Sequence, residues 1–505
     1  MTTPLPLIIA SCPGRSVAAL QLELRTAATA GADLGEVRLD RLPAEERLRA
    51  DALFPSPIPL IGTLRSRAEG GEGPDSRSDR EPVLDRLARL PFRFLDLERA
   101  RDSAFFETAT SRLPASSSII FSSHLAARTL TLEIRRLLEL PRPPRAVAKV
   151  VLPCGFSRLW SDLLPGLFPF DAYAPYVLHT TGATGPILRA WAHRFGMFAV
   201  FGSLPESPPS AAVDTVEPSQ VPVNRLRSHM RGISGNPIFG VVGHPIQHSR
   251  SPAIHSFWME RERRDGLYLA LDMSTAEELT ESLGPLASGG FRGLNVTHPW
   301  KQVALSVASR AGPAAEAAGC ANTLTFEPDT ISAENTDVAA VRRRLSELKA
   351  AGLWNGSPVI VLGGGGSARA ALAALSSLDS TGIVLARRRE VAEGLAREYG
   401  GLSGVGASLP PADLVIHATP AGREDCPTLD LPWRSVVGRG THVLDFVYQP
   451  VHSILRTGAV SKGASYEDGS RLLVYQAAES YATWWGAAPS DDLQEAALRE
   501  VLCAE

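Results

Sequence analysis

Pro358-Val359-Ile360-Val361-Leu362-Gly363-Gly364-Gly365-Gly366-Ser367-Ala368-Arg369 decides how the second half of this 505-residue chain folds. An apolar, β-branched run enters four glycines, and the apolar stretch Ala370 to Leu378 follows. Strand, glycine turn and helix in that order suit a dinucleotide, because glycine lets the backbone approach a pyrophosphate seated on the helix N-terminus. A glycine run alone is weak evidence; its place between strand and helix makes it strong. The next predicted strand, Gly382 to Ala386, ends in Arg387-Arg388-Arg389. An acidic residue there would hold the ribose of NAD, whereas arginines favour a 2′-phosphate. The expectation is a Rossmann-type unit for NADP(H); the plainer reading of the arginines is a solvated helix start.

Upstream of the glycine run lies a spaced polar set: Ser249-Arg250-Ser251-Pro252, Asn295-Val296-Thr297-His298-Pro299-Trp300-Lys301, Asn322-Thr323 and Asn335-Thr336-Asp337. A lysine beside an aspartate can shuttle a proton while hydride moves between a carbinol carbon and a nicotinamide. Serine hydroxyls donate to carboxylates, and Asn, Thr and Asp sort hydroxyl groups. Without the glycine run, ordinary turn and cap residues would explain this set equally well.

Lysine usage sharpens that reading. Only four of the 51 basic residues are lysines: Lys149, Lys301, Lys349 and Lys462. Arginine keeps its proton, so a lysine kept against such a bias suggests chemistry that needs a titrating amine. Lys349 ends a polar helical run, where a cation suits the dipole, and Lys462 sits in a Ser-Lys-Gly turn. Lys149, inside Ala146-Val147-Ala148-Lys149-Val150-Val151-Leu152, and Lys301 suggest two separate active sites.

Bulk properties exclude several classes. Apolar content of 44% and net charge of −3 describe a protein with ample core and no overall pull toward nucleic acid or membrane. No run approaches the ~20 apolar residues of a membrane span. Met1 to Ile9 lacks a basic start and is too short in its apolar part for a signal peptide. The five cysteines are scattered and never form Cys-x-x-Cys, so the expectation is reduced thiols in a cytoplasmic protein, without disulfide frame or metal site.

Residues 5–230 alternate short apolar runs (5–10, 35–39, 58–63, 93–97, 118–122, 146–152, 174–178, 198–202) with helical stretches. Eight strands at this spacing predict a (β/α)8 barrel, whose chemistry gathers at the C-terminal strand ends. Two polar connections, Glu69 to Pro82 and Ser203 to Pro222, follow strands on that face and read as lids or as surface loops. Strand two carries Glu36 and Arg38, strand three leads to Arg65, strand five ends before His124, strand six contains Lys149, and Arg189 follows strand seven. A lysine among valines and alanines would lose its charge more readily by desolvation, and a neutral amine can form a Schiff base with a ketone. A histidine nearby can remove the alpha proton, and arginines suggest an anionic substrate. The bland alternative is that Lys149 snorkels out of the barrel. The domain expectation is therefore a barrel over 1–228, a linker over 229–237, a substrate lobe over 238–340, a Rossmann-type lobe over 341–465, and helices over 466–505 returning to the substrate lobe.

The strings are more specific than the pattern. Glu36-Val37-Arg38-Leu39-Asp40, Arg65-Ser66-Arg67-Ala68-Glu69-Gly70-Gly71, Ser122-Ser123-His124, Lys149 and Gln220 resemble type I 3-dehydroquinate dehydratase over Leu5 to Leu226. The resemblance implies that Lys149 forms the imine, His124 is the general acid/base, and Glu69 orients it. Ser11, Glu36, Arg38, Arg65, Arg189 and Gln220 would hold the substrate. The family's serine four residues before the lid glutamine falls on Val216, with Thr215 as a neighbour that could substitute.

The second polar set and the glycine run resemble shikimate dehydrogenase from Ile238 to about Glu500. That resemblance implies Lys301 and Asp337 as the catalytic pair. Ser249, Ser251 and Tyr448 would bind carboxylate, and Thr297, Asn322 and Gln476 the ring hydroxyls. Gly363, Gly364, Gly365, Gly366, Ser367, Arg387, Arg388, Phe446 and Gly469 map to the cofactor cleft. Departures are Val338 after the aspartate, His417-Ala418-Thr419 for Asn-Ala-Thr, Arg471 for a usual glycine, and His298 and Trp300 inside the lysine motif.

Together the two resemblances imply a fused enzyme, as known from plants and some bacteria, acting on 3-dehydroquinate, 3-dehydroshikimate and shikimate with NADP(H) and no metal. Two rivals stand beside it: a quinate dehydrogenase with a vestigial dehydratase half, and a non-enzymatic sensor of aromatic-pathway metabolites. Hydride transfer from quinate against shikimate separates the first. Retention of both lysines with His124 and Asp337 speaks against the second, since binding alone could use arginine. The sequence does not specify an oligomeric state.

Overall fold

The computed structural model describes residues 5–109, 111–140, 146–168, 174–205, 217–230, 236–406, 408–422, 426, 428–448 and 454–502. Thr215, Val216, most of the second lid, Cys503 and positions 231–235 of the linker lie outside them.

Eight strands form β1 (Leu7–Cys12), β2 (Leu34–Arg38), β3 (Leu60–Thr63), β4 (Phe94–Glu98), β5 (Ser118–His124), β6 (Ala146–Pro153), β7 (Tyr176–Thr181) and β8 (Ala199–Gly202), each within three residues of its expected bounds. They are parallel in the order β7-β6-β5-β4-β3-β2-β1-β8. The seam between β7 and β8 is closed by other means than a regular ladder. Phe198 N donates to Tyr176 O at 2.8 Å, and Phe201 N donates to the His179 Nε2 at 3.1 Å. Burial, then Arg189 and Lys149, hold His179 well below the usual imidazole pKa, so its ring is a neutral acceptor.

Side chains alternate along a strand, and the barrel uses that period to stack two interior layers. Ile9, Leu34, Ile61, Phe94, Ile120, Val147, Val177 and Ala199 form an apolar floor. Two residues further along the same strands stand Ser11, Glu36, Thr63, Asp96, Ser122, Lys149, His179 and Phe201. The second layer is polar in seven of its eight positions, and all eight are buried. A polar storey on a dry floor is where the barrel holds its chemistry.

A second sheet contains β9 (Ile238–Gly243), β10 (Leu267–Asp272), β11 (Phe291–Val296), β12 (Arg310–Ala311), β13 (Thr323–Glu327) and β14 (Thr330–Glu334), in the order β10-β9-β11-β13-β14-β12. A third, entirely parallel sheet contains β15 (Val359–Leu362), β16 (Gly382–Leu385), β17 (Leu402–Ser403), β18 (Leu414–His417), β19 (His442–Asp445) and β20 (Ser465–Glu467). Its order β17-β16-β15-β18-β19-β20 is the doubly wound Rossmann arrangement, with a crevice where the order reverses beside β15.

Helix Thr336–Ala350 joins these two sheets, so the lobe boundary expected at 340/341 falls inside one continuous helix. Val338, Val341, Leu345 and Leu348 recur at helical spacing and are buried, leaving no reason for a break. Helix Ser470–Trp485 runs back to the second sheet, where Trp484 Nε1 donates to Leu324 O at 3.2 Å. Helix Val223–Met230 likewise extends two residues into the expected linker, burying Leu226 and Met230.

The barrel and the second sheet pack through aromatic residues. Trp160 Nε1 donates to Ser282 Oγ at 2.9 Å. The Trp191 indole occupies the space above Gly289, where an added Cβ would lie 1.8 Å from its Cζ2. Among the described residues no helix is long and apolar enough to cross a membrane.

Candidate active sites

In the barrel, β6 carries Lys149 inward from Val147, and only 5% of the residue is exposed. Its Nζ lies 3.2 Å from Asp96 Oδ2, 3.6 Å from Glu36 Oε1 and 3.9 Å from the centroid of the Phe201 ring. The surroundings therefore differ from the apolar sleeve that its own strand suggests: neighbouring strands bring carboxylates to the amine. Burial opposes the Asp96 charge, but Arg65 and Lys149 outweigh it and hold Asp96 below the ordinary carboxylate range.

His124 ends β5 and is a quarter exposed in its side chain; its Nδ1 stands 2.8 Å from Glu69 Oε2. Glu69 reaches that place from the turn Arg67–Glu69, which Ser66 caps by accepting from Glu69 N. Burial pushes the Glu69 carboxyl up to about 7 against the pull of Arg65. Burial, then Arg65 and Lys149, hold His124 well below the usual imidazole value. The pair is thus a neutral imidazole beside a carboxyl that titrates near neutrality.

Arg65 is engaged by several acidic side chains. Its Nη2 bonds both Asp96 oxygens at 3.0 Å, and its Nη1 bonds Glu69, Glu98 and Ser122 at 3.0–3.2 Å. A buried guanidinium gathering three carboxylates ties the acids of the site together. Arg38 is held by Asp40 through two bonds of 2.8–2.9 Å. Arg189 is buried and donates to the carbonyls of Phe201, Thr180 and Gly185. Gln220 Nε2 donates to Ser11 Oγ at 3.0 Å, and Ser11 donates to Glu36 Oε2 at 2.9 Å, so the lid end of the chain reaches the polar layer.

Sequence reasoning missed Asp96, Glu98, Thr63 and Phe201, and gave Ser122 no role of its own. The signal was available, since Phe94-Leu95-Asp96-Leu97-Glu98 alternates with period two and puts both acids on Phe94's face.

The second site lies in a cleft of about 1620 Å³ between the second and third sheets. Small-ligand pockets occupy ~300–1,000 Å³, so this one has room for a dinucleotide beside a ring acid. Lys301 opens helix Lys301–Ser306, and Asp337 lies in the first turn of helix Thr336–Ala350, where the Asn335 side chain accepts from Asp337 N. Lys301 Nζ and Asp337 Oδ2 are 2.6 Å apart. Burial alone would lower the lysine pKa, but the Asp337 charge and hydrogen bond outweigh it and raise it.

Ser249, Ser251, Thr297, Asn322, Tyr448 and Gln476 all line this cleft with the lysine and the aspartate. Asn322 is fixed by accepting from Thr336 N at 2.8 Å and donating to Thr336 Oγ1 at 3.0 Å. Tyr448 OH donates to His248 O at 3.4 Å. Gly363, Gly364, Gly365, Gly366, Ser367, Arg387, Arg388, Phe446 and Gly469 line it as well. Gly363 has φ +136°, which favours glycine, and a Cβ there would meet Ala418 O at 2.6 Å. Helix Gly366–Ser376 starts without a side-chain cap, leaving its first N–H groups for an anion.

Three departures find places. Trp300 Nε1 donates to Met273 O at 2.8 Å, tying the lysine turn to β10's end. Arg471 pairs with Glu495 at 2.5 Å, linking two C-terminal helices. His417 is buried beside Asp445 at 2.7 Å.

The family model for type I 3-dehydroquinase matches residues 8–237, and that for the shikimate dehydrogenase substrate binding domain matches 241–324. A shikimate dehydrogenase (NADP(+)) of Dinoroseobacter shibae is 35% identical over 274 residues, covering 52% of this chain and 98% of that protein. One from Acidiphilium cryptum is 35% identical over 258 residues, covering 50% and 92%. The crystal structure of shikimate 5-dehydrogenase from Thermus thermophilus in complex with NADP(H) and shikimate is 32% identical. It covers 53% of this chain and 100% of its own, with a TM-score of 0.47. The chain therefore belongs to the shikimate dehydrogenase family through its C-terminal half, behind an N-terminal type I 3-dehydroquinase domain.

Proposed function

We propose that the chain performs two consecutive steps of the shikimate pathway: dehydration of 3-dehydroquinate to 3-dehydroshikimate, then NADPH-dependent reduction of that product to shikimate. The observation that carries the reading is the pairing of each lysine with a partner suited to one chemistry. Lys149 stands in a buried polar layer with the Glu69–His124 pair close to the same acids. Lys301 stands in an open cleft against Asp337.

In the barrel, the Lys149 Nζ lone pair attacks the substrate ketone; water leaves and a protonated imine forms. That cation acidifies the neighbouring C–H, and His124, oriented through Nδ1 by Glu69, removes the proton. The electron pair expels the β-hydroxyl, which takes a proton from His124, and water releases product and lysine. Asp96 and Glu36 face the cationic nitrogen while it lasts. Arg38 and Arg189 are the candidates for the substrate carboxylate, with Ser11 and Gln220 for hydroxyls.

The cleft fits NADP(H): a glycine-lined helix start suits the pyrophosphate, and exposed Arg387 and Arg388 at its edge suit the 2′-phosphate. When bound, the cofactor supplies the hydride. Lys301, kept protonated by Asp337, donates the proton to the developing alkoxide. Ser249, Ser251 and Tyr448 would take the carboxylate, and Thr297, Asn322 and Gln476 the hydroxyls. The four described cysteines, Cys12, Cys154, Cys320 and Cys426, are free thiols, which suits a reducing cytoplasm.

A progress curve with 3-dehydroquinate and NADPH tests the proposal. Stoichiometric NADPH oxidation with shikimate accumulating is expected; oxidation with quinate as product would replace the reading by the quinate alternative.

A further inference from the structure

Four polar side chains form a connected chain beside the C-terminal ends of β18 and β19: His417 and Asp445 are buried, Thr419 and Tyr466 half-buried. His417 and Asp445 are register partners across β18 and β19, and neither is exposed to solvent. His417 Nδ1 lies 2.7 Å from Asp445 Oδ1, and His417 Nε2 lies 2.5 Å from Thr419 Oγ1. Tyr466 OH donates to Asp445 Oδ2 at 2.8 Å, and Val447 N donates to Oδ1 at 2.9 Å.

These partners fit one placement of the protons. Asp445 accepts from three directions, so the imidazole presents Nδ1–H to it. With a lone pair at Nε2, Thr419 donates its hydroxyl hydrogen there, turning it into the wall. Ala421 N donates to the same Thr419 oxygen at 3.2 Å, and one lone pair remains. Thr419 lines the cleft that also holds Lys301 and the glycine turn, so that lone pair is the acceptor it offers a ligand.

Strand order places this acceptor in the cleft. Arg387 and Arg388 follow β16 on one side of β15; His417 ends β18 on the other, with Thr419 just beyond it. The adenine half of a dinucleotide belongs to the arginine side, and its nicotinamide half to the threonine side. The same Asp445 also holds Val447 N between Phe446 and Tyr448. One buried pair thus fixes the turns after both β18 and β19.

We infer that His417 is a positioning residue, locked by Asp445, that holds the Thr419 hydroxyl as a preset acceptor for a donor on the nicotinamide half of the cofactor, such as a ribose hydroxyl. The inference rests on the NADP(H) reading above. An asparagine at 417 would keep a donor for Asp445 but is too short to reach Thr419 as well.

Steady-state kinetics on the full chain, with NADPH and with adenosine 2′,5′-bisphosphate as a competitor that fills only the adenine half, tests it. Thr419→Val should raise the KM for NADPH about three- to tenfold, the range for one hydrogen bond. The inhibition constant of the bisphosphate should stay unchanged, and Thr419→Ser should restore the KM. His417→Asn should show the same split, and Thr419→Val added to it should cost less than about twofold more, because coupled groups are not additive. The unchanged bisphosphate inhibition constant also reports a folded cofactor lobe in each variant; should His417→Asn fail to fold, the Thr419 pair of variants decides alone. An unchanged NADPH KM in Thr419→Val, an equal loss for the bisphosphate, or full additivity overturns the inference. If the bisphosphate does not compete with NADPH in the unmodified enzyme, the cofactor reading itself falls and takes this inference with it.

Discussion

Lys149 and Lys301 are both withdrawn from bulk water, with side chains 6% and 14% exposed, yet they are withdrawn in different ways. Lys149 stands in the wall of a barrel, with two carboxylates and an aromatic face around one nitrogen. Lys301 sits at a helix start on the edge of a cleft, against one carboxylate. The contrast follows the chemistry each can do. A covalent imine needs an amine that excludes water and faces charges able to balance a cation. A proton donor for hydride transfer needs a charged amine beside enough open space for a second large molecule. The barrel meets the first need by stacking a polar layer on an apolar floor; the two α/β lobes meet the second by leaving a crevice between sheets.

Replacing each lysine breaks the comparison most sharply. Lys149→Ala should abolish dehydratase turnover by ~10⁴–10⁶-fold, the scale of a lost covalent nucleophile. Reduction of added 3-dehydroshikimate should stay intact. Lys301→Ala should lower the kcat of that reduction by ~10²–10⁴-fold, with NADPH still bound and the dehydratase unaffected. Loss of both activities in either variant would mean that the two sites do not work independently.

The Glu69–His124 pair sharpens the account of the barrel. With Glu69 raised to about 7, the carboxylate that orients His124 is present above that pH and protonated below it. Dehydratase kcat should therefore rise with pH through about 7. Glu69→Gln should lower it ~10- to 100-fold and flatten that rise. A pH–rate profile with the inflection intact in the variant would remove Glu69 from the mechanism. In the cleft, Arg388→Ala should raise the KM for NADPH about tenfold, worth ~1.4 kcal/mol, while NADH use is unchanged. An equal loss for both cofactors would argue against a 2′-phosphate contact.

The smallest effect concerns the joint between the two halves. Gly289→Ala puts a methyl into the Trp191 ring, and overpacking of this kind costs ~1–3 kcal/mol. A lowered Tm with both kcat values preserved would make the joint a stability element. A change in either kcat would instead couple the joint to a site.

Much of this arrangement was readable from local pattern. The barrel strands announce themselves as short apolar runs between helices, and the Rossmann unit as a strand entering four glycines. Lys149 and Lys301 stood out because the chain prefers arginine. What stayed hidden depends on contacts between strands. Asp96 joins the lysine's layer, with Glu98 one step beyond it, only because β4 lies two strands from β6. Arg65 reads as a ligand for an anionic substrate until three carboxylates are brought to it from two elements. His417 and Asp445 are 28 residues apart and meet only through the pairing of β18 with β19. No local pattern marks the end of the substrate lobe, because the helix shared by two sheets carries one uninterrupted apolar face.

Borohydride trapping with 3-dehydroquinate, followed by peptide mass analysis, reaches the central claim most directly. A reduced adduct on the peptide containing Lys149, retained in Lys301→Ala and lost in Lys149→Ala, is the predicted result. An adduct that persists in Lys149→Ala, or that forms on another lysine in the unmodified chain, would contradict the assignment of imine chemistry to the barrel's polar layer.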